Sequence, residues 1–356
     1  MRYSINPFMM LLFYLPSKLY GLIIGIRNFL YDKNFIGVYT PECTVISVGN
    51  LTVGGTGKTP FVIFLSRHFS GKGRKVTIVS RGYGGSKSSS DVLTVSDGKG
   101  KVFVGADECG DEPFLLASSL PAVSVLVSKI RAKAIREAQR TFSPDIIILD
   151  DGYQHRAVSR TVDILLIDAS DPFGNYQLLP SGMLREPIRN IQRADLIIIT
   201  RAEENEEFIT LERIIRTHNR DARIFKSGHS FSELLLPGTS KTLTPSELKG
   251  KKAYAFCAIG NPDIFIMDIE RSDADIVGTR FYRDHHRYSS VDLETIERDA
   301  LSAGAEILLT TQKDVINMAS MQSRYLPLYS AQIRTVVHES ERFFNELETM
   351  LANRRS

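Results

Sequence analysis

Thr44-Val45-Ile46-Ser47-Val48-Gly49-Asn50-Leu51-Thr52-Val53-Gly54-Gly55-Thr56-Gly57-Lys58-Thr59 joins an apolar, β-branched run to a glycine-dense turn that closes on a lysine and a threonine. The pattern predicts a buried strand, a loop and a helix opening at Thr59. Lacking Cβ atoms, Gly54, Gly55 and Gly57 let backbone N–H groups turn onto phosphate oxygens; Lys58 adds a point charge, and the Thr59 hydroxyl can reach Mg²⁺. The positive end of the helix faces the same anion. Gly54, Gly55, Thr56, Gly57, Lys58 and Thr59 are therefore the candidate nucleotide-binding residues. The strict motif wants a glycine six residues before the lysine, where this chain has Thr52. The bland alternative is a plain glycine turn between strand and helix.

Similar apolar runs recur at Val76–Val79, Ile146–Leu149, Val162–Ile167 and Leu196–Ile199, without polar alternation. That is the signature of parallel strands buried on both faces. Each run ends in polar or glycine-rich residues, and in an open α/β sheet these carboxyl ends line the ligand crevice. The run at 146–149 delivers Asp150 and Asp151, which suits a P-loop enzyme holding Mg²⁺ opposite Thr59, with Asp150 as ligand and Asp151 on the metal's water. An Asx turn capping the next segment is the competing reading.

Beyond Arg201 the pattern changes to an acidic helix containing Glu203, Glu204, Glu206 and Glu207, then to Ala222–His229 and a Pro/Gly/Ser/Thr-rich connector, Pro237–Ser246. A smaller α/β pattern follows, with strands at Ala253–Ala258, Ile276–Phe281, Ile307–Thr311 and Leu328–Ser330 and helices at Ser290–Ala303 and Glu339–Leu351. The expected fold class is α/β: a P-loop NTPase-like, mostly parallel sheet (32–228), a second, smaller α/β domain with its connector (229–356), and an N-terminal interfacial helical segment (1–31).

That first segment carries no charge from Tyr3 to Ser17, then Lys18, then a second apolar run closed by Arg27. Neither run reaches the roughly 20 apolar residues that span a bilayer. Pro7 and Pro16 favour short helices in the headgroup region, with Phe8, Phe13, Tyr14, Tyr20, Phe29 and Tyr31 as interfacial side chains. Two other readings compete: a signal peptide, disfavoured because no small-residue cleavage site separates the segment from the first strand, and an ordinary buried helix. Arg2, Lys18 and Arg27 by themselves equal the chain's net charge of +3. A basic apolar segment is drawn to an anionic membrane surface, while a formally neutral body gives no reason to expect nucleic acid. The 356 residues, 43% hydrophobic and 24% charged, suit two ordinary domains. Cys43, Cys109 and Cys257 form no C-x-x-C pair, which suits a reducing compartment. The expected location is the cytoplasmic face of the inner membrane; oligomeric state stays open.

Seven stretches together resemble one family, the tetraacyldisaccharide 4'-kinases of lipid A synthesis. They are Gly54–Pro60, Ser80-Arg81-Gly82-Tyr83-Gly84-Gly85, Gly110-Asp111-Glu112-Pro113, Asp150-Asp151-Gly152-Tyr153-Gln154-His155, Leu179–Pro187, Asp284-His285-His286 and Thr310-Thr311-Gln312-Lys313-Asp314. One position departs, Gln312, where an acidic residue is expected. The resemblance implies transfer of the ATP γ-phosphoryl group, with Mg²⁺, to the 4'-hydroxyl of an acylated, 1-phosphorylated glucosamine disaccharide, a lipid A precursor. It implies Asp111 as the base on the acceptor hydroxyl, with an imidazole, His285 or else His286, sharing the proton. It assigns Arg81, Tyr83, Glu112, Gln154, Arg185 and Glu186 to the acceptor or phosphate environment, and brings Asn261, Pro262 and Lys313 toward the nucleotide. The rival readings are a membrane-associated P-loop ATPase switch, which would turn over without a lipid acceptor, and a soluble small-metabolite kinase.

Overall fold

The computed structural model describes residues 7–87, 91–202, 206–237, 239, 241–284, 286–318 and 321–354. Arg2, Glu203, Glu204 and His285, named above, lie outside them. By contacts the chain forms two compact units: one runs to Gly228 and resumes at Thr335, and the other is His229–Arg334.

The first unit is built on strands β1 (Thr44–Asn50), β2 (Val76–Ser80), β3 (Leu93–Asp97), β4 (Ser124–Val127), β5 (Ile146–Asp150), β6 (Val162–Asp168), β7 (Leu196–Thr200) and the start of β8 (Arg223–Leu235), in the order β8-β7-β6-β1-β5-β2-β4-β3. Neighbours are parallel except β3 against β4. Every residue of β1, β5, β6 and β7 is buried, as unalternating Val/Ile/Leu runs require when helices cover both faces. Register aligns Val48 with Asp150, Asn50 with Leu166 and Asp168 with Thr200, so Asn50, Asp150, Asp168 and Thr200 end at one sheet edge. The five anticipated strands are all present. The short β4 and the antiparallel edge β3 were not anticipated, because four residues, or a half-exposed strand, leave too little periodicity to read.

Helices α1 (Pro7–Asp32), α2 (Lys58–Gly71), α3 (Ala106–Cys109), α4 (Asp111–Ser119), α5 (Arg131–Phe142) and α6 (Glu206–His218) complete this part. α2 follows the glycine turn and seals it against the sheet with Phe61, Val62, Leu65 and Phe69. The expectation of short helices at the N-terminus is corrected: α1 is one helix with Pro16 inside it. Proline removes one intrahelical hydrogen bond, and polar anchors from Ser17 to Asn28 hold the helix beyond that point. Its docked stripe is mixed, with Ser17 and Asn28 buried alongside the apolar Ile24. The opposite stripe exposes Leu15, Leu19, Leu22, Ile23, Ile26 and Phe29. Tyr20 and Tyr31, expected at an interface, turn inward instead: the Tyr20 hydroxyl donates to the Arg185 carbonyl at 2.9 Å, and the Tyr31 ring lies under the Arg156 guanidinium. Among the described residues no helix is long and apolar enough to cross a membrane.

The second unit contains β9 (Thr242–Leu243), β10 (Lys252–Cys257), β11 (Asp275–Phe281), β12 (Ile307–Thr311), β13 (Leu328–Val337, entering the first unit at Thr335), α7 (Pro262–Glu270), α8 (Ser290–Ser302) and α9 (Gln312–Asn317). β11-β10-β12-β13 are parallel neighbours with apolar clusters on both faces. Gln312 donates to the Gln332 side chain, a pairing that an amide can make here.

The last helix, α10 (Ser340–Asn353), packs with the first unit rather than with the domain 229–356 to which the sequence reading assigned it. Its Phe343 meets Phe61 at 5.9 Å, and Phe344 meets Phe64 at 5.1 Å and stacks on His68 at 3.3 Å between ring centroids. The C-terminus therefore backs the helix that carries the glycine loop.

Candidate active site

Three turns gather at the carboxyl edge of the first unit's sheet. The glycine loop leaves β1 at Asn50 and enters α2 through Gly57, whose φ of 80° is left-handed and whose side offers no side-chain cap. The first amides of α2 are thus left for an external acceptor. Lys58 Nζ sits 3.1 Å from Asn50 Oδ1 and 3.6 Å from Asp151 Oδ1. Asn50 Nδ2 and Thr56 Oγ1 are buried without a hydrogen-bond partner. Buried polar atoms in that condition are costly unless a ligand completes them. Gly54 and Gly55 are exposed, and Thr59 is half-buried in the first turn of α2.

Opposite the loop, the turn after β5 presents the acidic pair. Asp151 has a left-handed φ of 54°, which an aspartate tolerates better than most residues and which turns its carboxylate toward Lys58 and Arg185. Gly49 makes room for this turn, since a Cβ there would meet Tyr153 Cβ at 2.7 Å. Asp150 accepts from Ser80 Oγ at 3.0 Å. Burial pushes the Asp150 carboxyl up to about 7, aided by the charges of Glu112 and Asp151 and opposed by Lys58. Asp151 bears a burial penalty too, yet Lys58 and Arg185 outweigh it and hold its carboxyl below the usual range. Glu112 and Asp151 both oppose ionisation of Asp150, and a divalent cation beside the acidic pair would relieve that repulsion. Among the described residues no group of three or more His, Cys, Asp or Glu is arranged to hold a metal. A cation here would take two carboxylates and a hydroxyl at most from the protein, the sparse ligation that suits Mg²⁺ completed by phosphates and water.

The third turn is interlocked with a fourth motif. A Cβ on Gly110 (φ 94°) would meet the Tyr83 carbonyl at 2.4 Å, and one on Gly85 would meet the Glu108 carbonyl at 2.5 Å. Ser86 N and Lys87 N donate to Asp107 and Glu108 carbonyls at 2.9 and 3.0 Å. The stretches around Arg81-Gly82-Tyr83 and Gly110-Asp111-Glu112 are therefore one rigid feature, with Asp111 opening α4 and Tyr83 exposed.

Two expected ligand contacts resolve differently. Glu186 is fully buried, paired with Arg27 and Arg193 at 2.6 Å each and accepting from Asn190 at 2.7 Å, so it cannot reach an acceptor sugar. Its carboxylate is the core of an ion network, because a buried charge persists only when paired. The Gln154 amide donates to the Asn50 carbonyl at 2.8 Å and braces the root of the loop. Arg185 does belong here, 2.7 Å from Asp151.

The sequence reading passed over several residues. Arg131, at the start of α5 and buried, donates to the Asp150 carbonyl at 3.4 Å. Burial draws its guanidinium down to about 10 against the pull of Asp150 and Asp151. Arg201 at the end of β7 pairs with Asp168 and donates to the Gly55 carbonyl at 2.8 Å, fixing the outer limb of the glycine loop. Only Arg201, in the polar end of the Leu196–Ile199 run, had a signal in the sequence. Burial, with the nearby Arg131 and Arg160, draws His155 down to about 4, so it is neutral at physiological pH.

In the second unit, Lys313 pairs with Asp284 at 3.0 Å, and Asn261 and Pro262 open α7. His286 stacks on Tyr282 and lies 3.2 Å from Asp292 Oδ2, the carboxylate that also caps α8 at Ser289.

A family model described as tetraacyldisaccharide-1-P 4'-kinase matches residues 9–352. The chain is 38% identical over 348 residues to the tetraacyldisaccharide 4'-kinase of Syntrophus aciditrophicus, covering 95% of this chain and 92% of that protein. It is 37% identical over 314 residues to that of Halothermothrix orenii, covering 85% and 81%. Among solved structures it is similar to LpxK from Aquifex aeolicus in complex with ATP, with a TM-score of 0.77 at 32% identity, over 96% of this chain and 99% of that one.

Proposed function

The chain belongs to the tetraacyldisaccharide 4'-kinase family, and on that premise we propose that it transfers the γ-phosphoryl group of ATP to the 4'-hydroxyl of a tetraacyldisaccharide 1-phosphate, in lipid A biosynthesis. The observation that supports this best is the unsatisfied loop: uncapped α2 amides, with Asn50 Nδ2 and Thr56 Oγ1 buried and partnerless, beside Lys58 and an acidic pair. That combination awaits a polyphosphate.

In this reading the amides of 54–59 and Lys58 grip the β- and γ-phosphates, and Arg201 keeps the loop from opening by holding Gly55. Thr59, Asp150 and Asp151 would hold Mg²⁺, which when bound offsets phosphate charge. Asp111 takes the proton of the 4'-hydroxyl as its oxygen bonds to the γ-phosphorus and the bond to the ADP oxygen breaks. The imidazole proposed to share this proton is His285, or else His286. Arg81, Tyr83 and Arg185 remain for the acceptor and its phosphate. The direct test is mass spectrometry of product from ATP and the acylated disaccharide 1-phosphate. A gain of one phosphate at the 4'-position is expected, and ATP turnover independent of the lipid would overturn the assignment.

The exposed stripe of α1 supports a monotopic contact with the cytoplasmic face of the inner membrane, where acyl chains stay in the bilayer while the sugar meets the nucleotide. Replacing Leu22 and Ile26 together by serine should lower partitioning onto anionic vesicles by at least about tenfold in flotation assays. Unchanged flotation would place the membrane contact elsewhere.

A further inference from the structure

One strip of chain, residues 178–186, is fastened to α1 on one side and to the glycine loop on the other. From α1, Ser17 Oγ donates to the Leu178 carbonyl and the Tyr20 hydroxyl to the Arg185 carbonyl, each at 2.9 Å, and Arg27 Nη2 lies 2.6 Å from Glu186 Oε1. A Cβ on Gly21 would come within 2.8 Å of Leu178 Cδ1, so helix and strip are closely packed. From the other side, Val53 N donates to the Met183 carbonyl at 2.8 Å and Arg185 N to the Leu51 carbonyl at 2.7 Å, with a bridge between Thr52 and Leu184. Thr52 thus occupies the place of the motif's missing glycine and is used as a backbone tie. The Arg185 side chain then reaches Asp151, whose other oxygen faces Lys58.

The loop has little support of its own. Among the described residues nothing lies within 4 Å of where a Cβ on Gly54 or Gly55 would stand, so the tip is unpacked on that side. Its outer limb is held by Arg201 and Thr200, and its inner limb by this strip. The strip's deepest anchor is Glu186, fully buried between Arg27 of α1 and Arg193.

We infer that α1 supports the nucleotide loop as well as contacting the membrane, with Tyr20, Arg27 and Glu186 as positioning residues that press residues 178–186 against Leu51–Val53. This rests on the reading that the loop binds ATP. The two faces of α1 then have separable roles: the docked face, through Ser17, Tyr20 and Arg27, sets loop geometry, and the exposed apolar face meets lipid.

The experiment measures Mg·ADP affinity by calorimetry on the full-length chain in one detergent, without acceptor lipid. Tyr20→Phe combined with Arg27→Ala should weaken affinity by about fivefold or more, within the range of ordinary site-to-site coupling, while Leu22→Ser with Ile26→Ser keeps the wild-type value. A smaller change in the first pair, or an equal loss in the second, overturns the proposal. Hydrogen exchange on the unmutated chain supplies the reciprocal reading, independent of whether any variant folds: Mg·ADP should slow amide exchange in residues 17–28. Unaltered exchange there, with nucleotide bound, overturns the coupling and leaves the kinase assignment standing; failure of the unmutated chain to bind Mg·ADP would remove both.

Discussion

Asp111→Ala is expected to lower kcat by about 10²–10⁴-fold while the Kd for ATP stays within about twofold of wild type. A base acts only as the acceptor oxygen attacks, so its loss falls on the transition state and spares nucleotide binding. The geometry gives the residue a fixed address. It opens α4 directly after Gly110, whose left-handed backbone lies against the Tyr83 carbonyl too closely for any side chain. Glu112, one residue on, is close enough to add to the upward shift of Asp150. The same rigid feature therefore carries the proposed base, the exposed Tyr83 and a carboxylate beside the acidic pair. Asp111→Asn keeps the size and polarity that start a helix but not the basicity, so its kcat should match the alanine variant. Steady-state kinetics on the acylated disaccharide, with nucleotide binding measured separately, check both. An asparagine variant near wild-type rate, or a parallel collapse of ATP affinity, would take Asp111 out of the base role.

How much of this could be read from the chain alone differs by element. The central strands were legible because a strand covered on both faces needs apolar, β-branched residues at every position, as in Ile146–Leu149 and Leu196–Ile199. The glycine loop was legible for a similar reason: close backbone approach to phosphate leaves few residue choices. The orientation of α1 was not. A helix apolar nearly all round gives little moment to read, and which side docks is decided by Ser17, Gly21 and Asn28, whose partners lie far along the sequence. Glu186 shows the same limit. In a polar run, Arg185-Glu186 reads as a ligand-facing pair, and only the fold reveals that one partner of the glutamate is Arg27, 159 positions earlier. The allegiance of α10 was equally hidden, since an amphipathic terminal helix carries no mark of the surface it covers.

Lys58→Ala should act differently from the Asp111 variants, raising the Kd for ATP and lowering kcat by about 10²–10³-fold, the loss typical of one preorganised electrostatic donor. Its ammonium is suspended between Asn50 Oδ1 and Asp151 Oδ1 with the side chain largely enclosed. A phosphate entering the loop would find this charge already placed and partly desolvated, so the contact exists in the ground state and strengthens as charge shifts toward the leaving oxygen. Removing it also leaves Asp151 with Arg185 as its close cation and withdraws a group that opposes the upward shift of Asp150. The acidic pair would then be harder to ionise together, and Mg²⁺ dependence should move to higher concentration. Arginine should not restore function: a planar guanidinium fills the space between Asn50 and Asp151 differently from a point charge. Calorimetric titration of ATP at several Mg²⁺ concentrations, alongside kinetics with the lipid acceptor, tests the pair of effects. If affinity holds at the wild-type value while only the rate falls, the lysine meets the nucleotide in the transition state alone; if neither changes, the phosphates do not lie in this loop.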